Sequence, residues 1–64
     1  MESKTFTFQD GNSVTVRNEN GFGLCSCEGG RAIKAYFNTP WFGWGRIVPF
    51  ADVCAYFENA VKNA

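Results

Sequence analysis

Apolar and polar residues alternate with period two through the first half of the chain, the pattern of half-buried β-strands. Four segments carry it, at about 4–9, 13–18, 22–28 and 31–38. Asp10-Gly11-Asn12, Glu19-Asn20-Gly21 and Gly29-Gly30 separate them. Such residues favour turns because they tolerate left-handed backbone or hydrogen-bond their own main chain.

A strand register can be tested on this pattern, because a slip of one residue turns every side chain to the opposite face. If Asp10-Gly11-Asn12 is a three-residue loop, Phe8 faces Val14, Thr7 faces Thr15 and Phe6 faces Val16. A two-residue loop there sets Phe8 against a polar partner. Glu19-Asn20-Gly21 as a three-residue loop sets Val16 against Leu24, Arg17 against Gly23 and Thr15 against Cys25. A two-residue Gly29-Gly30 loop sets Leu24 against Ala35, Phe22 against Phe37 and Glu28 against Arg31. The three hairpins agree on one meander with two faces. The apolar face holds Phe6, Phe8, Val14, Val16, Phe22, Leu24, Ile33, Ala35 and Phe37. The polar face holds Thr5, Thr7, Thr15, Arg17, Cys25, Cys27, Lys34 and Tyr36.

From Pro49 to Lys62 the period changes. Phe50, Val53, Cys54, Phe57, Ala60 and Val61 recur at helical spacing. Pro49 suits the first turn of a helix, Asp52 complements its positive end and Lys62 its negative end. A helix of this length reaches ~21 Å, about a strand's length, and can cover the apolar face. The expected fold class is therefore α+β: a four-stranded antiparallel meander with one C-terminal helix on one face, ββββα, as a single domain over residues 1–64. Ile47-Val48 is a candidate fifth strand beside the fourth.

Composition narrows the possible chemistry. At 64 residues a chain is marginal but able to fold alone. Aromatic residues make up 17% of it, so large rings supply much of the buried area. Six acidic and six basic residues give a net charge of zero, which argues against a nonspecific polyanion binder. The charges are uneven, however. No acid lies between Glu28 and Asp52, where Arg31, Lys34 and Arg46 stand, while Glu2, Asp10, Glu19 and Glu28 outnumber Lys4 and Arg17 before it. No apolar run approaches the ~20 residues of a bilayer span, and the N-terminus has no basic region before an apolar stretch, which predicts a cytoplasmic protein without membrane attachment. Three cysteines and no histidine predict free thiols and leave too few ligands for a tetrahedral zinc site. In the derived register Cys25 lies outward between Thr15 and Lys34, where an ammonium neighbour favours thiolate. Cys54 belongs to the buried stripe of the helix.

Catalytic equipment is missing. Without histidine, no serine or cysteine has a nearby base, and Asp10, Glu19 and Glu28 lie in turns or at strand ends where carboxylates are solvated. The glycines form no phosphate-binding loop. No enzyme, cofactor or metal is expected.

The most unusual stretch is Thr39-Pro40-Trp41-Phe42-Gly43-Trp44-Gly45-Arg46, which reads as a loop between the last strand and the helix. Its rings either close the end of the sheet–helix sandwich or anchor a partner, since Trp, Tyr and Arg dominate binding hot spots. The candidate partner-binding residues are Trp41, Phe42, Trp44 and Arg46, with Tyr36, Lys34 and Arg17 on the polar sheet face. These residues predict a non-catalytic protein-binding module that occupies the surface of a larger protein or ribonucleoprotein complex. Its size suits a phage or mobile-element accessory protein that inhibits a host defence or transcription system. The alternative is a weak single-stranded nucleic-acid binder that stacks bases on Trp41, Phe42 and Trp44, with Arg31, Lys34 and Arg46 on phosphates. The chain is expected to be a monomer or a homodimer paired through edge strands.

Overall fold

The structure is a computed structural model and describes residues 2–45 and 47–63. Its sheet is organised by the turn at Asn20-Gly21. Both residues are left-handed, with φ of 54° and 93°, the two-residue type I′ geometry that Asn-Gly favours because its twist matches that of the flanking strands. The turn joins β2 (Ser13–Glu19) to β3 (Phe22–Glu28), and Glu19 pairs directly with Phe22. The Asn18 carboxamide oxygen accepts the Gly21 N–H at 2.8 Å and supports it from below.

This corrects the three-residue turn expected from the sequence by one residue, and the slip turns β3 over. Val16 pairs with Cys25 and Val14 with Cys27, so both cysteines face inward. Leu24 and Ser26 join Arg17 and Thr15 on the polar face.

The first hairpin differs by two residues, and an even shift preserves faces. In β1 (Ser3–Thr7) Phe6 pairs with Val14 and Thr5 with Thr15, whose hydroxyls meet at 3.1 Å. Phe8 does not face Val14. It leaves the ladder and opens a longer loop, in which the Phe8 N–H donates to the Asn12 carbonyl at 2.7 Å, and its ring is buried in the core. Among the described residues the sheet has three strands in the order β1-β2-β3.

The expected fourth strand is a helix, α1 (Gly30–Phe37). Over eight residues, Ile33, Ala35 and Phe37 satisfy a strand's period, but Arg31, Ala32, Lys34 and Ala35 are strong helix formers. The β1–β2 loop settles the choice by holding the start of the helix. The Asn12 side-chain oxygen accepts the Arg31 N–H at 2.9 Å, and the Asp10 carboxylate accepts from Arg31 Nε at 3.1 Å. Arg31 thus pairs with Asp10 rather than with Glu28. Ala32 is fully buried, whereas Ile33 and Phe37, one turn apart, are exposed.

The C-terminal helix is α2 (Phe50–Lys62), with Phe50, Val53, Cys54 and Phe57 buried. It lies across all three strands. It packs directly on Gly23, where an added Cβ would lie 2.6 Å from Val53 Cγ2. Ile47-Val48 does not extend a fourth strand. Instead the Gly23 N–H donates to the Val48 carbonyl at 2.9 Å, the Phe50 N–H donates to the Gly21 carbonyl at 2.8 Å, and Pro49 makes a single bridge opposite Phe22. The Tyr56 hydroxyl donates to the Ala35 carbonyl at 3.0 Å, tying α2 to α1. The order is βββαα, with both helices on the apolar face, rather than ββββα with one.

Candidate protein-binding surface

The connection from α1 to α2 is a run of hydrogen-bonded turns. The Thr39 hydroxyl donates to the Tyr36 carbonyl at 2.9 Å, the Phe42 N–H to the Thr39 carbonyl at 3.2 Å, and the Trp44 N–H to the Trp41 carbonyl at 2.9 Å. These bonds give the aromatic stretch a defined path, and its rings divide into two groups.

Trp41 turns inward. Half-buried, it meets Tyr56 edge-to-face at a centroid distance of 5.4 Å, and Tyr56 meets the fully buried Phe57 at 5.1 Å. It is therefore a lid on the end of the core. Phe42 turns outward and is 51% exposed. It packs edge-to-face on Tyr36 at 5.6 Å and on Phe37 at 5.1 Å. Tyr36 and Phe37 lie 5.8 Å apart. The three rings brace one another, as aromatic quadrupoles favour, while Phe37 and Phe42 remain open to solvent. Beyond them Trp44 is 65% exposed and Ile47 is 69% exposed. Arg46 lies outside the described residues.

The other expected site residues are redistributed. Tyr36 and Lys34 belong to α1, not to the sheet; Lys34 is solvated and Tyr36 joins the ring cluster. Arg17 alone stays on the polar sheet face, 4.0 Å from Glu19. A groove of about 580 Å³ nevertheless brings Arg17 near the rings. It runs between β3 and the α1–α2 connection, along Leu24, Cys25 and Ser26 on one side and Tyr36, Trp41 and Phe42 on the other. Ile33 and Phe37 were expected in the core and are instead part of the exposed apolar surface. Their i,i+4 spacing beside core-facing Ala32 was the signal for this, and it becomes readable only once the segment is known to be helical.

Cys25 does not lie outward beside Lys34. It faces the core, and burial, followed by the nearby Cys27 and Cys54 thiols, pushes its pKa up to about 11. Burial raises Cys27 as well. All three cysteines are free, and protonated thiols in such settings are poor nucleophiles. Among the described residues no three His, Cys, Asp or Glu side chains are grouped to hold a metal ion, and no helix is long and apolar enough to cross a membrane.

None of the family models, curated proteins or solved structures compared with this chain matches it.

Proposed function

We propose that this domain is a non-catalytic protein-binding module that engages a larger partner through the ring surface of α1 and the α1–α2 connection. The observation that carries this reading is the braced cluster of Tyr36, Phe37 and Phe42, two of whose rings stay exposed, with Trp44 and Ile47 also exposed in the connection that follows. A small domain gains nothing in stability from leaving such rings in water, and contiguous exposed apolar surface is characteristic of interaction sites. Rings held by their neighbours also lose little conformational entropy on binding, which favours affinity. A module of this kind acts by covering a surface, as an accessory protein antagonising a host defence or transcription complex would.

The test is recovery of partners from native lysate, with and without nuclease, by the parent protein and by variants. Trp44→Ala and Phe42→Ala should each cost at least ~2 kcal/mol of partner affinity. Trp44→Ala should leave stability within about 0.5 kcal/mol, because its ring is mostly in water. Loss of all partners on nuclease treatment, with affinity falling steeply as salt rises, would transfer the rings to the nucleic-acid reading. If well-folded variants bind as the parent does, the site lies elsewhere.

A further inference from the structure

The groove beside the rings runs along a sheet edge that is only partly used. Hydrogen-bonded pairs alternate along an antiparallel ladder. With Glu19 and Phe22 closing the two-residue turn, the main-chain groups of Leu24 and Ser26 point toward β2. Those of Gly23, Cys25 and Cys27 point to the outer edge of β3. The Gly23 N–H is taken by the Val48 carbonyl, which fits this phase. The Val48–Phe50 backbone covers the edge only at the start of β3, and among the described residues no strand pairs with it at Cys25 or Cys27. Of the open stretch, Leu24–Glu28, the residues Leu24, Cys25 and Ser26 line the 580 Å³ groove.

We propose that this edge accepts an extended acidic peptide segment of the partner as an added strand, with alternate apolar side chains against Tyr36, Trp41 and Phe42 and an acidic side chain toward Arg17. The proposal rests on the protein-binding reading above and names the kind of segment that the site takes. Side chains of an added strand alternate between the two sides of the sheet. One set would meet the aromatic wall, which lies on the helix side. The other would lie over Leu24, Ser26 and Arg17 on the polar side. Charge selects the sign of the occupant: among the described residues lining the groove Arg17 is the one that is charged, and none is acidic. Its contact with Glu19, at 4.0 Å between two exposed side chains, is too weak to satisfy it. Main-chain bonds supply affinity in strand addition and side-chain pockets supply specificity.

The probe is a displayed library of random peptides of about twelve residues, long enough to span the ~17 Å of five β3 residues, selected on the whole protein. Enriched peptides should carry apolar residues at every second position and an Asp or Glu between them. In the synthesised consensus peptide, N-methylation at alternate residues should weaken binding at least ~tenfold, and methylation of the intervening residues should have little effect, because only alternate N–H groups of an added strand face β3. Peptide saturation should slow hydrogen exchange at the Cys25 and Cys27 amides. Arg17→Glu should weaken the acidic peptide by about tenfold, and replacing its acid with Lys should restore binding.

Anchors at helical spacing, or an N-methyl scan without a two-residue period, would overturn strand addition. Failure to enrich any peptide overturns it too. So does a stable dimer in which Cys25 and Cys27 amides are protected without peptide, since the occupant is then a second copy. If Trp44→Ala and Phe42→Ala weaken the native partner while the scan shows no period, strand addition falls and the ring-surface reading stands. If they leave the native partner untouched, that reading falls regardless of what the peptides do.

Discussion

Gly23→Ala separates the observed sheet register from the one that alternation alone suggests. In most strand positions this change stabilises, by roughly 0.4–1 kcal/mol, because alanine restricts the unfolded chain. Here the added Cβ would lie 2.6 Å from Val53 Cγ2, 2.7 Å from Val53 Cβ and 3.3 Å from Val53 Cγ1. Carbon atoms rest at about 3.5–4.0 Å, so α2 must retreat by roughly 1 Å at its contact with β3. Overpacking of this kind costs about 1–3 kcal/mol, which exceeds the backbone gain. A net loss of about 1–2 kcal/mol is expected, a large share of the several kcal/mol that a domain of this size possesses. The melting temperature should fall by about 4–8 °C for each kcal/mol. Urea unfolding followed by tryptophan fluorescence should show a lower midpoint with an unchanged slope. Val53→Ala alone should cost about 2 kcal/mol through the cavity it leaves. The double variant should lose less than the sum, because removing Cγ1 and Cγ2 relieves two of the three close contacts. A Gly23→Ala protein as stable as its parent, or more so, would refute the reasoning. It would place Gly23 on the face away from α2, opposite Arg17.

Three further outcomes follow from particular contacts. Asn12→Ala removes the acceptor of the Arg31 N–H at the start of α1 and should cost about 1 kcal/mol, with hydrogen exchange rising first in the α1 amides. Tyr56→Phe deletes the hydroxyl that bonds the Ala35 carbonyl and should cost roughly 1 kcal/mol in the same urea assay, while leaving the ring contact with Trp41 in place. For Cys25, the native thiol holds its proton up to about pH 11 while an ordinary thiol releases it near pH 9. The unfolded chain therefore binds fewer protons between those values, and stability should fall as pH rises through that window. Midpoints measured from pH 8 to 11 should decline more in the parent than in Cys25→Ser, and equal slopes would show that Cys25 is not responsible.

Two features of this protein were determined within short stretches of the chain. Thirteen residues with Phe50, Val53, Cys54 and Phe57 on one stripe leave no reasonable alternative to a helix buried along that stripe. Alternation in the first two strands likewise assigns Phe6, Val14 and Val16 to one face, and the two-residue difference in their pairing does not disturb it. The β2–β3 register, by contrast, was misassigned, although Asn-Gly is a strong local signal for a two-residue turn. Reading Glu19-Asn20-Gly21 as a three-residue loop set Val16 against Leu24 and put β3 one residue out of register. In the folded protein Val16 faces Cys25 instead, because left-handed Asn20 and Gly21 close a two-residue turn.

The identity of residues 30–37 was not locally determined. Eight residues carry both periods, and the helix exists because Asn12 and Asp10, some twenty positions earlier, hold its first turn while Ala32 finds a place in the core. The candidate site follows from that tertiary choice. As a strand, the segment would have buried Ile33 and Phe37. As a helix, it exposes them and brings Tyr36 and Phe37 against Phe42. The surplus of rings at Trp41, Phe42 and Trp44 could be counted in the sequence. Which ring became a lid and which remained in water depended on where Tyr56 and α1 stood in three dimensions, because a ring's burial is set by its neighbours and not by its own type.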